Sequence, residues 1–285
     1  MLERVPSKKP VIGIFAVAHG TYWGQFPGLK ENMEKYHADF VSLVSKNEGE
    51  IVDLGIIDTS ISAFDAAAKF NAANVDIIFC NMITYATSSV FAPVLRDCSA
   101  PMILCALQPR RAMDYENANT FMQLENDNIC SVPEFCGVAS RMNKTIHDII
   151  IGTLYNDKKA EQSIHEWCLI AKALRTLRGA RIGLMGHVLE AMYDMHTDPT
   201  AVFNAFGIHV PLLEIDDLLA EFNKVTKEEI DEQTAIIKEE FDMPEPKSDP
   251  VTMKLTDEDL YNAAKASAAL ERFRKTYKLD GLAYF

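Results

Sequence analysis

The sequence predicts an α/β protein whose sheets are mainly parallel and are covered by helices on both faces. Short apolar runs alternate with segments of helical periodicity, giving four strand–helix steps before Leu107. The runs are continuously apolar, as expected of strands buried on both faces. A second alternating segment begins at Ala180. We therefore expect two domains, spanning residues 1–178 and 179–285, with the boundary near residue 178.

The elements of the first domain follow from these patterns in chain order. Strands are expected at Pro10–Val17, Ile51–Ile57, Val75–Cys80 and Pro101–Ala106. Helices are expected at Leu29–Val44, at Ser60–Asn74 with Ser60 or Ser62 as its cap, at Ser88–Arg96, from Pro133 to about Tyr155, and at Lys159–Leu177, which Gly179 closes. The polar stretch Leu107–Asn128 has no clean period, and a connection this long is typically functional or a partner contact.

The second domain is shorter and less regular. Its strands are expected at Arg181–Met185, Ile208–Ile215 and Leu279–Phe285. Its helices are expected at Pro199–Phe206, from the capping box of Thr226 and Glu229 to about Phe241, and from Thr256 to Tyr277, with a proline-rich loop at Met243–Pro250. Because the sequence stops within an apolar strand, we expect this domain to be truncated at its C-terminal end.

Composition restricts the class of protein. The 285 residues include 28 Lys and Arg against 41 Asp and Glu, a formal net charge of −13. Nucleic-acid phosphates would repel this charge, which argues against nucleic-acid binding. No apolar run reaches the ~18 residues that a membrane span needs. The six cysteines form no C-x-x-C pair, so we expect free thiols and a cytoplasmic location.

Common catalytic and nucleotide-binding motifs are absent from the sequence. It contains no G-x-G-x-x-G, no G-x-x-x-x-G-K-[ST], no H-E-x-x-H and no G-x-S-x-G. The best metal-like group comprises His187, Glu190, Asp194 and His196. These donor types suit a divalent ion, but the pattern favours ordinary hydrogen bonds or a substrate-lining role over a metal site.

Two further polar patterns leave alternatives open. The run Glu125–Asn128 suits a cation or a polyol, and it suits a structural turn equally well. Basic residues recur every three positions at Lys172, Arg175, Arg178 and Arg181. A solvated helix face or a salt-bridge stripe explains this spacing better than a phosphate site does.

Two loops are the best candidates for ligand contact. His19–Gly24 follows the first strand, and Thr84–Thr87 follows the third. Open α/β sheets bind ligands at the carboxyl ends of their strands. Tyr22 and Trp23 offer ring faces for a sugar, although a packed surface turn is an equal alternative. Because both loops leave the same edge of the sheet, we expect one shared pocket.

Several motifs resemble those of L-arabinose isomerases, a group related to L-fucose isomerase. The run Pro133–Met142 resembles their E-F-x-x-x-x-x-R-M segment, and the stretch from Asp114 to Asn126 resembles the sequence before it. Phe206-Gly207, Asp217-Leu218 and Arg272-Phe273 match in the same order further on. The resemblance covers nearly the whole chain and implies flavodoxin-like domains in a cytoplasmic, hexameric, Mn²⁺-dependent aldose–ketose isomerase with a longer subunit.

The resemblance also implies substrate contacts. The family's substrate-lining loop falls on Gly20 and Tyr22, and its aromatic wall falls on Tyr85. Its polar sugar contacts fall on Asp127 and Cys130, where arabinose isomerases carry Gln and His, and its apolar contact falls on Leu189. Because Asp127 accepts hydrogen bonds from different hydroxyls than Gln does, we expect an aldopentose or 6-deoxyhexose other than L-arabinose as the substrate.

The family's metal ligands have no counterparts in this sequence. By the same spacing, the first metal-binding glutamate falls just beyond Phe285. We therefore expect no catalytic or metal-binding residue within this chain, with Mn²⁺ bound only in a full-length parent. A non-catalytic, two-domain sugar-binding or regulatory protein is the alternative, because fold alone does not choose function.

Overall fold

The computed structural model describes residues 8–187, 191–192, 196–242, 253 and 255–284. The chain forms two compact units, one extending to Thr176 and the other starting at Leu177.

The first unit is built on a five-stranded parallel sheet. Its strands are β1 Val11–Val17, β2 Glu50–Ile57, β3 Ile77–Met82, β4 Met102–Gln108 and β5 Asp148–Thr153. They lie in the order β2-β1-β3-β4-β5, and all neighbouring pairs are parallel. This is the strand order of flavodoxin-like folds. The predicted fold class is confirmed.

Helices cover both faces of this sheet. They are α1 Tyr22–Gln25, α2 Leu29–Val44, α3 Ser60–Ala73, α4 Ala92–Asp97, α5 Thr120–Glu125, α6 Val132–Arg141 and α7 Lys158–Leu177. Successive residues of β1 point to opposite faces. Phe15 packs into the core with Phe70 of α3, while Ile14 packs into the core with Phe40 of α2. Every residue of β1 is therefore buried.

A β-bulge distorts β2 where it pairs with β1. Gly55 adopts a left-handed φ of 67°, and its amide donates to Oδ1 of Asp53 at 2.9 Å. The same oxygen lies 2.8 Å from Nε2 of His37, whose Nδ1 lies 3.2 Å from the side-chain amide of Asn81 on β3. This largely buried polar network ties α2 to both strands, and it lies before the carboxyl end of β2.

Some predicted elements of the first unit were wrong. The long helix from Pro133 is really α6, which ends at Arg141, followed by the strand β5. Asn143 has a φ of 52°, which stops a helix, and the run Ile149–Ile151 is too short for its periodicity to identify a strand.

Smaller differences concern helix starts. The cap of α3 is Thr59, whose Oγ1 accepts the Ser62 amide at 3.1 Å in a capping box. Neither Ser60 nor Ser62 is the cap residue itself. The predicted helix Ser88–Arg96 divides into a 3₁₀ turn at Ser88–Val90 and α4. Pro93 lies in the first turn of α4, where proline is favoured.

The second unit contains a small parallel sheet. Its strands β6 Ile182–Met185, β7 Leu212–Leu213 and β8 Gly281–Tyr284 lie in the order β7-β6-β8. Its helices are α8 Pro199–Phe206, α9 Ile215–Phe222, α10 Lys227–Glu240 and α11 Asp257–Thr276. A core of Met185, Leu213, Phe273 and Leu279 joins α11 to the sheet.

The predicted strand Ile208–Ile215 was too long. After Leu213 the chain enters α9, which Glu214 caps together with Asp217. The predicted loop Met243–Pro250 lies outside the described residues. Within the part of the chain that the structure describes, no helix combines the length and apolar character needed to cross a bilayer.

Candidate functional site

The two candidate loops lie at the switch point of the five-stranded sheet. In the order β2-β1-β3-β4-β5, the connections run in opposite directions from β1 and β3. Ligands of open α/β sheets bind in the crevice outside this point, at the carboxyl ends of the strands. His19–Gly24 follows β1, and Thr84–Thr87 follows β3. The topology therefore places both loops beside the same crevice.

Aromatic side chains from the two loops form one cluster. The rings of His19 and Tyr22 have centroids 5.2 Å apart and are almost perpendicular. The Tyr85 ring lies 6.2 Å from His19 and 6.5 Å from Tyr22. These are the distances of edge-to-face and tilted aromatic pairs. Tyr22 and Tyr85 are only partly buried, so their rings retain accessible surface for a ligand.

Asp127 and Cys130 lie next to this cluster. The Cys130 thiol donates a hydrogen bond to the Asp127 carboxylate. Burial raises the pKa of Tyr22, and the charges of Asp127, Tyr85 and Cys130 raise it further. Burial also raises the pKa of Asp127, and the hydrogen bond from Cys130 opposes that rise. The polar wall of the site is thus a partly buried carboxyl group beside two phenols.

Gly20 lies against Asp58, at the end of β2. A Cβ added at Gly20 would lie 3.2 Å from the Asp58 carbonyl oxygen and 3.4 Å from its Oδ2. Trp23 donates its indole N–H to the same Oδ2 at 2.8 Å. Because Gly20 has no side chain, Asp58 lies close to the loop that carries Tyr22, and its hydrogen bond with Trp23 holds this loop. Asp58 was missed in the sequence because it lies 35 residues from Trp23.

Glu134 was also missed, although the sequence carries a signal for it. Ser131 and Glu134 have the spacing of a capping box at the start of α6, but Ser131 makes no capping hydrogen bond. Glu134 instead accepts the Ser88 amide at 2.7 Å and the Tyr85 hydroxyl. Burial raises the pKa of Tyr85, and Glu134 raises it further. Glu134 is therefore a positioning residue for Tyr85.

Within the run Glu125–Asn128, most side chains are structural. Glu125 is buried, and its Oε1 accepts from Asn32 at 2.8 Å and from Tyr36 at 3.1 Å. Asn128 donates to the carbonyl oxygens of Met82 and Leu107, at 2.7 and 3.1 Å. The run therefore fixes its own backbone against α2, β3 and β4. Asp127 is the member that interacts with the Tyr22 and Tyr85 cluster.

The remaining candidate groups do not join this site. Lys172 pairs with Glu48 at 2.6 Å, and Arg175 lies 3.8 Å from Asp76, so both make ion pairs within the first unit. Arg178 also has interaction partners, and the Arg181 amide donates to Asp280 at 2.8 Å.

The predicted metal-like group is only partly described. Glu190 and Asp194 lie outside the described residues, as does the predicted substrate contact Leu189. Among the described residues, which include His187 and His196, no three His, Cys, Asp or Glu side chains converge as a metal site would require.

Comparison with known proteins supports the resemblance drawn from the motifs. No protein-family model matches the chain. The chain is similar to the L-arabinose isomerases of two Yersinia pseudotuberculosis strains, IP 31758 and YPIII. It is 25% identical to each of them over 215 residues, and this alignment covers 75% of this chain and 41% of each relative. It is 28% identical over 149 residues to the L-arabinose isomerase of Yersinia enterocolitica strain 8081, or 49% of this chain and 27% of that relative.

These alignments extend over less than half of the relatives. The chain spans about two-fifths of the length of the first curated relatives it matches (41%). With the α/β fold confirmed, this similarity supports a relationship to the L-arabinose isomerase family.

Proposed function

We propose that this chain forms the substrate-covering part of a metal-dependent aldose–ketose isomerase and binds an aldopentose or 6-deoxyhexose. The observation that carries the proposal is the cluster of Tyr22, Tyr85, Asp127 and Cys130 at the switch point of the sheet. The distant isomerase homologues support the same function at the level of the family.

The side chains of this cluster suit a neutral polyol. Tyrosine rings offer apolar faces to the C–H groups of a sugar, and their hydroxyls remain polar. Because Tyr85 donates its hydrogen to Glu134, its oxygen is left to accept a hydrogen bond from a sugar hydroxyl. An ionised Asp127 only accepts. The site therefore favours ligands with several adjacent hydroxyl donors.

Catalysis is not assigned to the described residues. In the family that the motifs resemble, Mn²⁺ polarises the carbonyl and hydroxyl oxygens while hydrogen moves between neighbouring carbons. The described residues offer no convergent donor set for such an ion. We propose that the ion and the catalytic carboxylates belong to another part of a cytoplasmic homo-oligomer, a hexamer in the resembled family.

Tryptophan fluorescence provides a direct test of sugar binding. The sequence contains two tryptophans, Trp23 in the candidate site and Trp167, which donates to Asp148 at 2.8 Å. A Trp167→Phe variant leaves Trp23 as the reporter. We expect saturable changes with at least one sugar from a panel of aldopentoses and 6-deoxyhexoses. Tyr85→Ala should abolish them, whereas Tyr261→Ala, on α11, should not.

Failure of every sugar to change the Trp23 signal or to release heat in calorimetry would contradict the proposal. A non-catalytic sugar-binding protein is the second candidate, favoured by a polar and aromatic site in which the described residues form no convergent group of metal donors. The intact mass of the natural protein decides which form to assay. If the mass is 31.9 kDa, this chain is assayed, and if the mass is larger, the longer protein is assayed. Mn²⁺-dependent ketose formation by that form supports the isomerase, and metal-independent sugar binding without ketose formation supports the second candidate.

A further inference from the structure

A second cleft opens beside the aromatic site, at the carboxyl end of β4. Its volume is about 550 Å³, within the usual range for ligand pockets. Asp127 belongs to its lining and also interacts with Cys130, Tyr22 and Tyr85. The Asp127 carboxylate therefore borders both the cleft and the cluster of Tyr22 and Tyr85.

The wall of this cleft is held by hydrogen bonds. The side-chain amide of Gln108 donates to the Asn126 carbonyl oxygen at 2.8 Å. The Asn126 side chain accepts the Arg110 amide at 3.2 Å and donates to the Met122 carbonyl oxygen at 2.9 Å. Asn119 caps α5 by accepting the Met122 amide at 2.9 Å. Because these bonds join β4 to the C-terminal end of α5 and cap the N-terminal end of the same helix, the cleft is formed before any ligand arrives.

The chemistry of the lining selects a neutral, polar ligand. Among the described residues, its polar side chains are amides and the hydroxyls of Thr120 and Tyr115, and its one charged side chain is Asp127. Amides both donate and accept hydrogen bonds, which suits hydroxyl groups. Arg110 and Arg111 are not among the lining residues, so the described part of the lining offers no cation to a phosphate or carboxylate.

Tyr115 completes this lining with an exposed aromatic ring. This residue is 85% exposed, so its ring is accessible to a ligand. Met113 lies in the same lining. An accessible ring beside amide groups gives one apolar face and several polar contacts, the combination that a sugar ring requires.

We propose that this cleft is a second saccharide subsite, so that the protein binds a neutral disaccharide across Asp127. One sugar ring lies against the exposed faces of Tyr22 and Tyr85, and the other lies against Tyr115 and Gln123. The position of the first ring rests on the proposed function, whereas that of the second rests on the cleft itself. The ligand class is thereby narrowed from any free sugar to one that carries a glycosidic substituent.

Calorimetry with paired ligands tests the subsite. The probes are xylobiose and arabinobiose, each compared with its component monosaccharide. We expect at least one disaccharide to bind tenfold more tightly than its components, about 1.4 kcal/mol. Tyr115→Ala and Gln123→Ala should each reduce that gain without changing monosaccharide affinity. Both side chains are exposed, so the fold should survive, and Glu116→Ala, outside the lining, is the matched control.

The outcomes separate this inference from the proposed function. Monosaccharide binding with no gain for any disaccharide overturns the subsite and leaves the proposed function intact. A gain that Tyr115→Ala removes and Tyr85→Ala does not affect supports the cleft and overturns the assignment of the first ring. Absence of binding by every saccharide overturns both.

Discussion

Ser131 holds the backbone of Ala86 in both directions: its hydroxyl donates to the Ala86 carbonyl oxygen at 2.8 Å and accepts the Ala86 amide at 2.9 Å. Both residues are buried, and Ala86 directly follows Tyr85. Glu134, one turn further along α6, binds the Tyr85 hydroxyl and the Ser88 amide. The start of α6 therefore fixes the aromatic loop after β3.

Replacing Ser131 with alanine should destabilise the first unit. The substitution leaves the Ala86 N–H and C=O buried without these partners, which costs about 1–3 kcal/mol. We expect a lower midpoint in urea unfolding, together with weaker sugar binding because Tyr85 is released. Ser140→Ala, on an exposed position of the same helix, should change stability by less than about 0.5 kcal/mol. Equal midpoints for both variants would contradict this assignment of the Ser131 hydrogen bonds.

Ser131 and Glu134 show why local sequence patterns predict only part of the site. Ser131 and Glu134 have the spacing of a capping box, and the pattern identifies the start of a helix correctly. Local spacing does not reveal that both side chains turn instead to residues 85–88. Those contacts span 45 and 46 residues, and only the packing of α6 against the sheet creates them.

Gly20→Ala should disturb the loop that carries Tyr22. The added Cβ would lie 3.2 Å from the Asp58 carbonyl oxygen, so Asp58 must shift by a few tenths of an ångström, which strains its hydrogen bond with Trp23. We expect a loss of about 1–3 kcal/mol, as for other overpacked sites, and a change in the Trp23 emission. Urea unfolding and fluorescence spectra measure the two effects.

Gly24→Ala is the matched control for this change. It lies in the same loop, and a Cβ there meets nothing within 4 Å. Since Gly24 is in helix α1, alanine should leave stability unchanged or slightly higher. Equal destabilisation by both substitutions would show that helix α1, rather than the contact with Asp58, determines the effect.

Asp127→Asn should alter the pH dependence of stability. Burial raises the pKa of Asp127 in the folded protein, so the folded state binds this proton more tightly than the unfolded state. Stability from this group is present at low pH and is lost as pH rises through the raised pKa. The variant should therefore melt at a higher temperature than the wild type at neutral pH. The difference should vanish below the ordinary aspartate pKa of about 3.9.

Asp114→Asn is the control for this prediction, because the pKa of Asp114 is lowered whereas that of Asp127 is raised. Hydrogen bonds from Asn117 lower the pKa of Asp114, and its side chain is exposed. Any effect of that variant should be a slight loss of stability at neutral pH. Parallel melting curves for wild type and Asp127→Asn at all pH values would contradict the burial of the Asp127 carboxyl group.

Sequence alone could predict much of the scaffold but only part of the site. The β1 and α2 predictions depended on local apolar runs and periodicity, and their bounds agree with the structure. Strand β5 was missed because its apolar run, Ile149–Ile151, is only three residues long, which is too short for periodicity to identify a strand. Asp58 was missed because a bulge in β2 and a tertiary hydrogen bond define its place.

Titration of the Cys130 thiol, which donates a hydrogen bond to Asp127, tests the environment of Asp127. Burial raises the pKa values of Cys80, Cys98, Cys105 and Cys168, to about 11 for Cys98 and about 12 for Cys168, and all four side chains are buried. Cys130 is exposed, so it should react first with Ellman's reagent, and Cys130→Ala should remove this fast phase. Burial and Asp127 raise the pKa of Cys130, so Asp127→Asn should accelerate the phase at pH 7.

Cys136→Ala, at a half-buried thiol, should leave the fast phase in place. A fast phase that persists in Cys130→Ala, or that Asp127→Asn does not accelerate, would contradict the pairing of the two side chains.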